Sequence, residues 1–452
     1  MIKCGAYERE ITPALGLCIP GYFETRIAED ILDELMVKAV IFDDGKKVVG
    51  FAALDILHVR ADMVKKIRDR FTQLTGVDGA GIMVSGTHAH TGQAVEKNDE
   101  FGLPDENWID ITCQRSADAL VAAWKRRQDC VVGFGRGEEH KLSFNRRFWQ
   151  KDGKVYTWPG RCNPDNVKEA APVDPEVDVV RVDTIGGKPI CVITGFANHL
   201  DLIGGCKYSA DYPGELSNCI KQELGQGVVS LFLNGCCGDV THIDYNTTEP
   251  YPADYYKTSG RALAKDVLGI YKTVNPVEID SVDSVSAVKE ISRRQPTKEM
   301  YEQAKRELDE YEAKKNAPKE EAAEAYEKPT TGDADLMALS YSKCTVSLYE
   351  NPILSEKPEV QVIRVGDIAF NAMPGEMFAE LGLDLKARSK FARNINVELA
   401  DGCFGYIATK KAFAEGGYEV TLDRYVNMSE DAGDIMVDTL LELQDSIKQN
   451  EH

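Results

Sequence analysis

The sequence predicts an α/β fold, with mixed β-sheets flanked by helices and a site at the carboxyl ends of the strands. Two observations point there. Apolar runs of strand length alternate with stretches of helical periodicity, the pattern of sheets covered by helices. Three of those runs also end in polar, glycine-bearing loops: Ile82-Met83-Val84-Ser85-Gly86 leads to His88 and His90, the run at 190–196 leads to Ala197-Asn198-His199, and the run at 228–233 leads to Asn234-Gly235-Cys236-Cys237-Gly238-Asp239. Open α/β sheets place their sites at such strand ends.

Taken in order, residues 36–43 and 48–56 read as strands around Asp43-Asp44-Gly45-Lys46-Lys47, because Asp-Gly chemistry between apolar runs favours a hairpin. Met63, Ile67 and Phe71 then recur at helical spacing, and Thr75-Gly76 supplies the stop. The strand ending at Ser85 follows, and a further helix is expected from about 108 to 127. The segment 151–177 is rich in Gly, Pro, Asp and Asn and reads as a long irregular loop, a length that usually signals function or disorder. Strands return at 178–183, 190–196 and 228–233. From Lys298 to Lys328 the chain is dense in Glu and Lys, with Met300, Ala304, Leu308 and Tyr311 on one stripe, which predicts a solvated amphipathic helix or a helical pair broken at Pro318. Strands at 359–365 and 367–372, a helix to about Ser389, a strand at 396–399 and a last helix over 431–448 complete the chain. No repeat or low-complexity linker divides it. The expectation is one catalytic domain over 1–452, with a charged helical insertion at about 297–328.

Composition narrows the partners. With 43% hydrophobic and 28% charged residues, the 452-residue chain is ordinary globular material able to bury a large core. Its formal net charge of -21 leaves no basic stripe for phosphates and would repel nucleic acid and anionic membranes. No stretch approaches the roughly 20 apolar residues of a membrane span, and the first ten residues lack the pattern of a secretory leader. Twelve scattered cysteines without a Cys-x-x-Cys pair fit free thiols in a reducing compartment. The expectations are a cytoplasmic location, a small-molecule substrate, no nucleic acid and no membrane insertion. The sequence leaves the oligomeric state open.

The chemistry centres on His88 and His90. In an extended strand alternate side chains share a face, so both imidazoles would point one way. Histidine serves both metal ligation and proton transfer near neutral pH. Only seven histidines occur in the chain, and His88, His90 and His199 all stand just beyond strands. A catalytic metal site adds oxygen ligands to such imidazoles, for which Asp55, Asp201, Asp239 and Glu376 are candidates at element junctions.

Six ordered motifs then carry a resemblance. Gly86-Thr87-His88-Ala89-His90-Thr91-Gly92 resembles the Gly-Thr-His-x-His-Ser/Thr-Gly signature of the neutral ceramidase family. Ile11-Thr12-Pro13 with Pro20-Gly21-Tyr22, Asn145-Arg146, Phe196-Ala197-Asn198-His199, Pro374-Gly375-Glu376, and Gly405-Tyr406-Ile407-Ala408-Thr409 followed by Tyr418-Glu419 resemble its further motifs. The resemblance spans nearly the whole chain. It implies a zinc site with His88, His199, Glu376 and Tyr406 as ligands and His90 beside the metal as proton carrier. Arg146 and Tyr418 would contact the reacting carbonyl, and Arg146 could also pair an anionic substrate group through its planar fork. Gly238-Asp239-Val240-Thr241-His242 stands where lipid-cleaving members carry Gly-Asp-x-Ser-Pro, which makes Asp239 and Thr241 substrate-binding candidates and removes the family's serine. The vicinal Cys236-Cys237 has no motif-assigned base.

The resulting reading is a zinc-dependent hydrolase that cleaves the carboxamide of a small, soluble N-acyl compound. Its rivals are an esterase or lactonase on the same site, a true ceramidase, and a metal-binding scaffold without activity.

Overall fold

A computed structural model describes residues 1–96, 102–315 and 334–449. Strands Lys3–Glu10 (β1), Met36–Asp43 (β2), Val48–Leu54 (β3), Ile82–Gly86 (β4), Gln128–Glu138 (β5), Glu176–Thr184 (β6), Pro189–Phe196 (β7) and Val229–Asn234 (β8) form one eight-stranded sheet in the order β8-β7-β6-β5-β1-β2-β3-β4. Its outermost pairs, β7/β8 and β3/β4, are parallel and the pairs between them antiparallel. A four-stranded sheet joins Val282–Val288 (β9), Glu359–Val365 (β10), Ile368–Met373 (β11) and Arg393–Glu398 (β12) in chain order.

The two sheets stack face to face, because these strands carry apolar residues on both faces. Val40 and Phe42 of β2 enter the layer between the sheets, where Phe51 lies 4.6 Å from Phe370 of β11 between ring centroids. Val37, Ala39 and Ile41 of the same strand face the other way, onto helices Ala61–Thr75 (α1) and Glu106–Lys125 (α2). Helices Asp211–Leu224 (α3) and Tyr255–Thr273 (α4) cover the β6–β8 end of the large sheet. Lys298–Lys315 (α5) and Ala334–Glu350 (α6) pair with each other, and the last helix, Ala432–Gln449, packs on β10 and β11 with Ala379–Arg388 (α7) against it. The architecture is therefore α/β with mixed sheets flanked by helices.

Several expected elements fall where the sequence placed them. The Asp43–Lys47 turn is closed by the Asp44 amide on the Lys47 carbonyl at 3.2 Å. α1 buries Met63, Val64, Ile67 and Phe71, and Gly76 ends it in the left-handed conformation, its amide on Thr72 O at 2.8 Å. The 151–177 segment is a correction. Val155–Thr157 and Asn166–Glu169 pair with either edge of Arg147–Gln150 in a small three-stranded sheet, because the Gly, Pro, Asp and Asn residues concentrate in the turns and leave short runs free to pair. Of the expected charged insertion, α5 is described, whereas 316–328 and the Pro318 break lie outside the described residues. All twelve cysteines are free thiols. Among the described residues, no helix is long and apolar enough to cross a membrane.

Candidate metal centre

The His88/His90 loop does not continue the strand. β4 ends at Gly86, and His88 turns the chain with a left-handed φ of 78°. The amides of His88 and Ala89 then bond to Ile56 O at 3.0 and 3.2 Å, and the His90 amide bonds to Leu200 O at 3.0 Å. The strand-alternation argument thus fails, although both imidazoles still reach one place, with ring centroids 4.8 Å apart. The Leu200 bond also ties this loop to the one carrying His199, whose ring lies 4.6 Å from that of His88. Gly21 closes over His90: a Cβ there would sit 2.5 Å from His90 Nδ1.

Glu376 and Tyr406 are delivered together. Beyond β11, Glu376-Met377 pairs in parallel with Tyr406-Ile407, and the Glu376 amide bonds to Gly405 O at 2.9 Å. Gly405 has φ 75°, and a Cβ on it would lie 1.5 Å from the Tyr425 carbonyl oxygen, so only glycine fits. Behind this turn Glu398 accepts the Met377 amide at 3.1 Å, the Cys237 amide at 2.9 Å and the Cys237 thiol at 2.8 Å. Cys237 is therefore a buried donor. Burial and the neighbouring Glu398 carboxylate push its pKa well up, the opposite of what a nucleophilic thiol needs.

The donor atoms meet at metal-ligand spacing. Glu376 Oε2 is buried without a hydrogen-bond partner, 3.5 Å from His88 Nε2 and 3.4 Å from His199 Nε2. Ligands about 2.0–2.1 Å from a tetrahedral ion stand about 3.3–3.4 Å apart. His88 bonds through Nδ1 to Leu57 O at 3.1 Å, the arrangement that frees Nε2 for a metal. These residues fit a divalent cation. His90 Nε2 lies 3.4 Å from His88 Nε2, and the ligand atoms of His88, His90 and His199 all fall within 4.8 Å of one another. His90 thus stands within ligand reach as well.

The charges are strongly coupled. Burial works against ionised Glu376, but the charge of His88 and the close approach of the His199 and His88 imidazoles hold its carboxyl well below the usual range. For His88, burial is outweighed by Glu376, and the pKa rises. Burial drives His90 well below its ordinary value, reinforced by His88, and burial with Arg146 lowers His199. An acidic oxygen and mostly neutral imidazoles form the donor chemistry a metal ion requires.

Arg146 is buried beside this group. Its Nε donates to Glu419 Oε1 at 2.8 Å and Nη2 to Gly238 O at 2.8 Å, while Nη1 lies 3.0 Å from His199 Nε2. The fork expected to pair an anionic substrate group is thus already committed to the protein, and only Nη1 faces the cluster. Tyr406 and Tyr418 flank it, with ring centroids 5.4 and 5.9 Å from the guanidinium carbon and 5.6 Å from each other. Asp239 lies beneath: Oδ2 accepts from Asn145 at 2.8 Å, Oδ1 from the Ala379 amide at 2.9 Å, and its carbonyl from the Arg146 amide at 2.9 Å. Thr241 is buried in a two-residue pairing with Phe144, its hydroxyl accepting from the Ile243 amide at 3.3 Å. Of the other oxygen candidates, Asp55 accepts the Met36 amide at 2.9 Å in the outer sheet, and Asp201 pairs with His242 at 2.9 Å. Sequence reasoning assigned no site role to Glu419, Glu398 or Trp158. Glu419 was adjacent to a motif tyrosine, but nothing in its sequence context shows that it is buried against two arginines.

Comparison with known proteins agrees with this architecture. No protein-family model and no curated protein matches the sequence. Among solved structures, neutral ceramidase from Pseudomonas aeruginosa superposes with a TM-score of 0.75 at 15% identity, over 99% of this chain and 75% of that one. A ceramidase complexed with C2 gives 0.74 at 14% identity, over 99% and 75%. The chain thus has the fold of neutral ceramidase, with a buried histidine cluster just beyond its strand ends.

Proposed function

We propose that this protein is a zinc-dependent hydrolase that cleaves the carboxamide of a small, soluble N-acyl compound. The observation that carries the reading is the unpartnered Glu376 Oε2 at 3.4–3.5 Å from two imidazole nitrogens in a ceramidase fold. In this reading His88, His199, Glu376 and Tyr406 hold the zinc. When bound, the ion supplies the positive charge that polarises a carbonyl and acidifies water. His90 moves the proton toward the leaving amine. Tyr418 and Arg146 Nη1 donate to the carbonyl oxygen as it gains charge, with Glu419 fixing the guanidinium. Asp239 and Thr241 act on the substrate side through what they hold, Asp239 through its bonds to Asn145 and the Arg146 amide. The free thiols and the net charge support a reducing compartment such as the cytoplasm and a substrate met in water rather than in an anionic membrane.

The fold shared with ceramidases favours one second reading, ceramide itself as substrate. Competition between short polar acyl amides and long-chain ceramide in mixed micelles separates the two. Preferred cleavage of the short amides is expected, and preferred ceramide cleavage would overturn the substrate assignment.

A further inference from the structure

From the buried cluster outward, aromatic side chains form an unbroken series. Tyr406 contacts Tyr418 at 5.6 Å between centroids, Tyr418 contacts Trp158 at 4.7 Å and Phe23 at 6.2 Å, and Phe23 contacts Tyr341 at 6.1 Å. Their planes cross at 73°, 43°, 84° and 61°, in the spacing and tilt that aromatic pairs favour. Tyr406 is buried, whereas Tyr418, Trp158, Phe23 and Tyr341 are each only partly buried, so the series runs from the donor cluster to rings that solvent reaches. Four remote segments, carrying Phe23, Trp158, Tyr341 and the pair Tyr406 and Tyr418, converge to build it.

The outermost ring belongs to an unexpected element. Tyr341 lies on α6, the partner of the charged helix that sequence reasoning assigned to a solvated surface. Burial pushes its phenol up, with the Tyr418 phenol and the Asp423 and Glu419 carboxylates adding to the effect, which agrees with a ring set against the wall of the site. We propose that α6, through Tyr341, completes a binding subsite for a flat, apolar acyl group, an arene in preference to a short alkyl chain. Edge-on and tilted rings offer both faces and edges to a planar guest, and a flexible alkyl chain gains less from them. The proposal rests on the metal-hydrolase reading and assigns the acyl side of its substrate.

The test titrates zinc-loaded protein calorimetrically with acetohydroxamate and phenylacetohydroxamate, which chelate the ion and hold a methyl or a benzyl group beside it. The wild type should prefer the phenylacetyl probe. Tyr341→Ala should lose about threefold to tenfold of that preference, the scale of one aromatic contact, with acetohydroxamate affinity unchanged. Tyr341→Phe should retain the preference. Tyr349→Ala controls for hairpin packing, because it removes the stack of Tyr349 on Tyr301 of α5, at 4.3 Å and 17°, and should leave the ratio alone. An unchanged ratio in Tyr341→Ala, an equal loss in Tyr349→Ala, or no wild-type preference would overturn the subsite. Failure of both probes to bind a protein shown by elemental analysis to contain zinc overturns it too, whereas failure to load zinc overturns the hydrolase reading beneath it.

Discussion

In the proposed reading His88, His199 and Glu376 hold the metal and His90 moves the proton, and single substitutions should separate the two roles. His88→Ala and His199→Ala are each expected to lose most of about one bound zinc per chain, read by elemental analysis. His90→Ala should keep the zinc and lose turnover by roughly a hundredfold or more, the scale of a general acid-base group. Loss of zinc from that variant would instead make His90 a ligand, as its 3.4 Å approach to His88 permits. Arg146→Ala and Tyr418→Phe should each raise the barrier by about 2–4 kcal/mol, the usual consequence of losing an oxyanion donor. Unchanged kinetics in both would return them to the scaffold.

Elements hold these residues in place, and their legibility in the sequence varied for physical reasons. α1 was readable because its apolar stripe and glycine stop are local. β2 and β3 were readable because both faces are apolar and an Asp-Gly turn joins them. β1, Lys-Cys-Gly-Ala-Tyr-Glu-Arg-Glu, was not, since half of it is polar and its place in mid-sheet comes from distant partners. β5 is rich in glycine, and α3 carries Pro213-Gly214 in its first turns, signals that ordinarily mark loops. Within the site, motif residues were legible, but their supports were not: Glu398 and Glu419 look like surface carboxylates until the fold buries them. The left-handed turn at His88 was equally hidden, because residues other than glycine are uncommon at positive φ and nothing local in the sequence marks this one. Packing between the two sheets should dominate stability. Phe370→Ala, which empties the contact with Phe51, is expected to cost about 3–5 kcal/mol in denaturant unfolding. A loss below about 1 kcal/mol would mean that the sheets do not share a core.

For the whole molecule, buried carboxylates and net charge point the same way with pH. Burial pushes Asp211 up to about 7, Glu398 to about 8, and Asp239, Asp401 and Asp423 to about 6. These folded values exceed the unfolded ones near 4, so between pH 6 and 8 the folded chain binds more protons than the unfolded chain. Stability is then lost as pH rises through that window. The net charge of -21 adds self-repulsion that grows in the same direction. Thermal unfolding of the zinc-loaded protein should show a higher Tm at pH 6 than at pH 8, and the reverse order would contradict the burial of these groups.

The most direct measurement is the rate of acyl-amide hydrolysis by metal-depleted protein as zinc is returned in known amounts. Activity should climb with added zinc and level off at about one ion per chain, and it should vanish again on chelation. Hydrolysis that proceeds equally in metal-depleted and zinc-loaded protein would contradict the assignment of His88, His199, Glu376 and Tyr406 as the centre of the chemistry.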